Sequence, residues 1–138
     1  MSDTHFSTRA RLQAMLEVET ALAEAEAAIG VIPRQAARSI RACARVDTLD
    51  ETVIEAEAKR DGNLAIPLIR QLTARVASSD AEAARYVHWG ATSQDIIDTA
   101  LVLQLRASVP AVIADISRAA DAAAAHAEIL ESFLIDRE

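Results

Sequence analysis

The sequence predicts an all-α fold, a helical N-terminal domain followed by one long helix of the kind that builds bundles. Three observations carry that expectation. Hydrophobic residues make up 51% of the 138 positions but aromatics only 3%. The apolar set is dominated by Ala, the best helix former, while strand-favouring residues are scarce. Three Gly and three Pro leave little punctuation, so elements should be few and long. Finally, Ile97, Leu101, Leu105, Val109, Val112, Ile116, Ala119 and Ala123 hold a three-to-four spacing from Gln94 to the region of His126, which is the period of one helix face.

The elements follow in order. Residues 7–29 read as an amphipathic helix in which Leu12, Met15, Leu16, Glu19, Leu22, Ala23 and Glu26 mix an apolar stripe with an acidic flank. Gly30 stops it, and Ile32-Pro33 forces an extended or turn conformation. A second helix is expected over 34–45. Thr48 with Glu51 has the capping-box spacing and should open a third helix running to about Arg60, broken by Asp61-Gly62-Asn63. Pro67 suits the first turn of a fourth helix with an apolar face of Leu68, Ile69, Leu72 and Val76. Ser79 with Glu82 is a further capping box, opening a short helix through Arg85.

The last helix is the longest. About 33 residues at 1.5 Å rise make a rod of roughly 50 Å, and Pro110 should kink it. A globule of this chain length has a radius of gyration of only about 14 Å, so the rod should protrude and its apolar stripe needs a cover. The chain is accordingly divided into a helical domain, 1–85, and a loop plus long helix belonging to a central bundle, 86–138.

Charge and special residues exclude several function classes. The net charge is −7, from 14 basic and 21 acidic residues, so no domain-wide basic footprint for nucleic acid is present. Arg34, Arg38, Arg41 and Arg45 recur close to one helix face and read as a solvated or salt-bridged surface rather than an anion site. The only cysteine, Cys43, cannot form an intrachain disulfide and reads as a small core residue in a reducing compartment. Met-Ser-Asp-Thr-His lacks the basic and apolar regions of a secretory signal, and the purely apolar runs are far below membrane-spanning length. A cytoplasmic protein without nucleic-acid or membrane partners is expected. Neither His5 nor His126 has partners at metal-ligand spacing, so no metal is expected. His126 reads as a cation near a helix C-terminus.

One segment concentrates unusual residues. Tyr86 to Gln94 holds the only Trp, the only Tyr, one His of three and one Gly of three. Two readings of His88-Trp89-Gly90-Ala91-Thr92-Ser93-Gln94-Asp95 stay open. In one, Thr92 and Asp95 form a capping box, Gly90 lets the chain turn, and His88 and Trp89 pack underneath. In the other, the Thr92 and Ser93 hydroxyls and the free N–H groups of a helix N-terminus form a carboxylate site, with His88 adding a proton or hydrogen bond.

The run Tyr86-Val87-His88-Trp89-Gly90-Ala91-Thr92-Ser93-Gln94-Asp95-Ile96-Ile97-Asp98-Thr99-Ala100 resembles the first conserved motif of the fumarase/aspartase superfamily. Its wording is most similar to the cycloisomerase branch, which lactonises 3-carboxy-cis,cis-muconate in protocatechuate breakdown. Phe6-Ser7 through Val31-Ile32-Pro33, and Gly62-Asn63-Leu64-Ala65-Ile66-Pro67-Leu68, agree with that branch. The resemblance covers residues 3–126. Adenylosuccinate and argininosuccinate lyases carry related versions of the motif.

The resemblance implies a homotetramer around a long-helix bundle, with each active site assembled from three regions on three subunits. It implies addition or elimination next to a carboxylate, with no metal or organic cofactor. By position, Thr92 and Ser93 would hold a substrate carboxylate, His88 would line the pocket, and Asn63 would contact the substrate from the preceding loop. Gln94 and Asp95 would shape the helix start. The family's Gly-Arg-Thr region is not recognisable in residues 127–138, and its Gly-Ser-Ser loop with the catalytic serine is not found. The chain is therefore expected to carry no catalytic residue of its own and to be inactive alone. A fragment of another superfamily lyase, or a non-catalytic helical oligomerisation module, remains the alternative.

Overall fold

The computed structural model describes the backbone of residues 5–135 and the side chains through Phe133. The stretch 1–4, read above for a secretory signal, and residues 136–138 of the unmatched tail lie outside the described residues. The order of elements is α1 (Thr8–Ala28), α2 (Arg34–Cys43), a 3₁₀ turn (Val46–Thr48), α3 (Glu51–Asp61), α4 (Ala65–Ala77), a second 3₁₀ turn (Ala83–Tyr86) and α5 (Ser93–Ile135). No strand occurs among the described residues, so the all-α expectation holds.

The chain falls into two compact units, one ending at Gln104 and one beginning at Leu105. The start of α5 shares the core of the first unit. Ile96 and Ala100 are buried there with Leu12 and Leu16 of α1, Ile40 of α2, Ile54 of α3, and Leu68, Leu72 and Val76 of α4. Each is at most 1% exposed. The expected stripes of α1 and α4 are therefore the faces that pack.

Local chemistry explains the boundaries and corrects two of them. Ser7 caps α1 by accepting the Ala10 N–H. The start of α3 is capped by Asp50, whose Oδ1 accepts the Val53 N–H at 3.0 Å, rather than by Thr48. Thr48 sits in the 3₁₀ turn and donates its hydroxyl to the Cys43 and Arg45 carbonyls. A carboxylate adjoining the first turn answers the positive helix end better than a hydroxyl two residues further back. Likewise Asp80, not Ser79, accepts the Ala83 N–H, and the element it starts is a 3₁₀ turn. Ser79 instead donates back to the Val76 carbonyl at the end of α4. Gly62 ends α3 at φ 84°, a left-handed conformation that costs glycine little. Arg70 of α4 bonds Glu57 and Asp61 of α3 at 2.7 and 3.0 Å, pinning the two helices around the Gly62 turn. Cys43 is half-buried, as a small packing residue should be.

α5 runs on past His126 to Ile135, so His126 is an exposed mid-helix residue and not a C-terminal cation. The helix continues through Pro110. In the second unit Leu105, Val109, Val112, Ile113, Ile116, Ile129, Leu130 and Phe133 are exposed, Ile116 by 64% and Phe133 by 68%. By length and composition alone, Ser93–Phe133 is also apolar enough to cross a membrane. That property was hidden in the sequence because charges interrupt every purely apolar run.

Candidate active-site wall

The motif lies where the second 3₁₀ turn hands over to α5. Tyr86 and Trp89 pack ring to ring with centroids 5.5 Å apart. Trp89 is 47% exposed, so it does not pack underneath the turn as expected. His88 adopts φ 59° and Gly90 φ 68°. For histidine the left-handed conformation is uncommon and costs about 1–3 kcal/mol, so something must hold it.

Glu19 of α1 holds it. The His88 Nδ1 lies 2.7 Å from Glu19 Oε1, and the Glu19 side chain is only 1% exposed. Oε2 of Glu19 is buried without a hydrogen-bond partner. Burial raises the Glu19 carboxyl above its ordinary value, and the hydrogen bond to His88 offsets part of that rise. Two turns along α1, Glu26 Oε2 is also buried and unpartnered, and burial raises this carboxyl too. A Cβ on Gly90 would lie 3.8 Å from Glu26 Oε1, which puts that carboxyl directly beside the motif backbone.

The capping box forms. Both the hydroxyl and the N–H of Thr92 donate to Asp95 Oδ2, at 2.7 and 2.8 Å, and the Asp95 N–H reaches Thr92 Oγ1 at 3.4 Å. Thr92's hydroxyl proton is thus committed to Asp95. Ser93, the first residue of α5, is half-buried, and its hydroxyl has no partner among the described residues. At the helix start the capping and anion readings therefore divide by residue, Thr92 serving the cap and Ser93 remaining open. Gln94 bonds Asp98 at 2.5 Å along the exposed face.

Asn63 is placed differently. Its Oδ1 accepts the N–H groups of Ala65 and Ile66 at 3.0 and 3.1 Å, starting α4. No bond joins it to the 88–94 segment among the described residues. His88, Thr92, Ser93 and Gln94 lie in one segment leading into α5, and Asn63 caps another helix. No group of three or more His, Cys, Asp or Glu able to hold a metal occurs among the described residues.

The Asp95 carboxyl is held below its usual range, first by the Thr92 hydroxyl and then by the Thr92 N–H. A depressed carboxyl stabilises the fold above its unfolded value, and that contribution is lost as pH falls through the folded value. Acidification below the ordinary Asp range should therefore loosen this cap. Amide hydrogen exchange at Thr92 should accelerate beyond the intrinsic pH trend there, and unchanged protection would contradict the capping geometry.

These features, a left-handed histidine anchored to a buried carboxylate and an open serine at the N-terminus of a long helix, occur within a chain matched over residues 3–133 by the model of the lyase family. The chain belongs to that family, and its structural neighbours are of the fumarase/aspartase superfamily. Among curated relatives, 3-carboxy-cis,cis-muconate cycloisomerase of Bradyrhizobium diazoefficiens is 59% identical, over 80% of this chain and 25% of the relative. The Pseudomonas aeruginosa enzyme of that name is 48% identical, over 89% and 27%. The crystal structure of 3-carboxy-cis,cis-muconate lactonizing enzyme from Pseudomonas putida superposes with a TM-score of 0.80 at 46% identity, covering 84% of this chain and 26% of that one. The chain thus spans about a quarter of the length of these relatives and matches their N-terminal part.

Proposed function

We propose that this chain forms the substrate-carboxylate wall of a cycloisomerase-type lyase site acting on 3-carboxy-cis,cis-muconate in protocatechuate breakdown. The observation that carries the reading is the open Ser93 hydroxyl at the start of α5, in one local segment with His88. Free N–H groups at a helix N-terminus and the positive end of its dipole favour a carboxylate. Ser93 donates to it directly, Thr92 holds the turn through Asp95, and Gln94 steadies the first turn through Asp98. The Oδ1 of Asn63 is spent on starting α4, which leaves its Nδ2 to donate to the substrate from the preceding loop. The reaction needs no metal or organic cofactor. Proton transfer belongs to residues beyond this chain, because the carboxylate wall alone cannot move a proton at the reacting carbon.

The exposed stripe of α5 supports assembly of copies into a homo-oligomer, a tetramer in the superfamily, which we place in the cytoplasm. A bundle suits this helix better than a bilayer. Arg106, Asp115, Arg118 and Asp121 lie along it, and each charge at a bilayer centre costs about 2.5–3.5 kcal/mol on insertion scales. The same stripe favours a second reading, a helical oligomerisation module without ligand.

Turnover tests the reading. Lactonisation removes the conjugated diene of 3-carboxy-cis,cis-muconate, so its ultraviolet absorbance reports the reaction. The chain alone should leave it unchanged, as it should leave adenylosuccinate and argininosuccinate. Consumption of any of the three by this chain would overturn the division of labour proposed here.

A further inference from the structure

We infer that Glu19 is a positioning residue that fixes His88 with its Nε2 protonated, so that the motif meets a carboxylate with an N–H and not a lone pair. The role toward substrate rests on the carboxylate reading above; the state of the ring does not.

The argument is one of charge and burial. Glu19 Oε1 and His88 Nδ1 are 2.7 Å apart, with Glu19 1% and His88 18% exposed. Nδ1 is thereby engaged, and Nε2 is the ring nitrogen left to meet a ligand. The pair has two electroneutral arrangements. In one, a neutral carboxyl donates to Nδ1, and the neutral ring carries its proton on Nε2. In the other, a carboxylate accepts from an imidazolium that is protonated at both nitrogens. Nε2 bears a proton in both. A bare Nε2 requires the pair to lose a proton and leave a net negative charge at a site where Glu19 Oε2 already lacks a partner. Burying an uncompensated charge is the costliest of these options. The neighbouring groups act the same way. Glu26, along α1, raises the Glu19 carboxyl further, and Asp95 lies close enough to His88 for its carboxyl to feel the ring. The left-handed backbone of His88 fits a residue placed for its ring and not for its propensity.

Nitrogen NMR of the full chain with ring-labelled histidine tests this without any ligand, the exposed His5 and His126 serving as references. At neutral pH, His88 should show a protonated Nε2. An unprotonated Nε2 at neutral pH would overturn the inference. Glu19→Met removes the hydrogen bond at similar volume. His88 should then become a tautomer mixture like the two references, while helical circular dichroism is retained. A folded variant with an unchanged His88 ring would also overturn it. Should that variant fail to fold, the wild-type measurements decide. Failure of the ring readout leaves carboxylate binding at Ser93 standing, and loss of that binding leaves the ring readout standing.

Discussion

Replacing Ile116 by Asp should weaken self-association of the chain at least about a hundredfold, roughly 2.7 kcal/mol, without loss of helicity. Ile116 is 64% exposed, and Leu105, Val109, Val112 and Ile113 on the same segment are 37–57% exposed. Covering a side chain of this size stabilises by about 1.5–3 kcal/mol. An aspartate at the same place forfeits that gain and adds the cost of a buried, unpaired charge. On a solvated helix the substitution costs only a few tenths of a kcal/mol in propensity. Light scattering at tens of micromolar should therefore show an oligomer for the parent chain and a smaller species for Ile116→Asp, at equal circular dichroism. A monodisperse parent monomer would contradict assembly through α5. An oligomer indifferent to the substitution would place the interface elsewhere.

Leu72→Ala should have the largest effect on the stability of the first unit, about 2–5 kcal/mol. Leu72 of α4 is 0% exposed and shares its cluster with Leu12, Leu16, Ile40 and Ile54. Truncation removes transfer free energy and leaves a cavity that close-packed helices fill only in part. A domain of this size has few kcal/mol to spare, so the urea midpoint should fall sharply and part of the population should unfold at ambient temperature. Leu130→Ala, at a position 64% exposed, should leave the urea midpoint of the first unit unchanged. Equal midpoints for Leu72→Ala and the parent would mean the α4 face is not the core.

What the sequence made legible follows from periodicity. The helices and their buried faces were readable because Leu12, Leu16, Leu68, Leu72 and Val76 recur at helical spacing. Cap assignments were less legible. Thr48 and Ser79 have the right spacing to an acidic residue, but Asp50 and Asp80, nearer the first turn, take the N–H groups, and only geometry chooses between neighbouring acceptors. Glu19 was the residue with most to tell. It stands among Leu12, Met15, Leu16 and Ala23 on the stripe of α1 and was read with Glu26 as an acidic flank. A carboxylate on the packing face is itself the signal, because such a group is rarely buried without a partner. Its partner, His88, is remote in sequence and becomes visible only when α1 and the motif are brought together. The Thr92–Asp95 box was legible, whereas the release of Ser93 from that box needed the bond directions.

The central claim is that Ser93 and the first turn of α5 receive a substrate carboxylate. The most direct measurement is a titration of the full chain with 3-carboxy-cis,cis-muconate, followed through backbone amide shifts. The Ser93 and Gln94 amides should move, saturating on the order of millimolar because one wall supplies part of the binding free energy. Ser93→Ala should abolish the shift, and Thr92→Ala should weaken it while loosening the cap. Amides that stay still, or a shift that survives Ser93→Ala, would contradict the account and leave the motif as a helix cap alone.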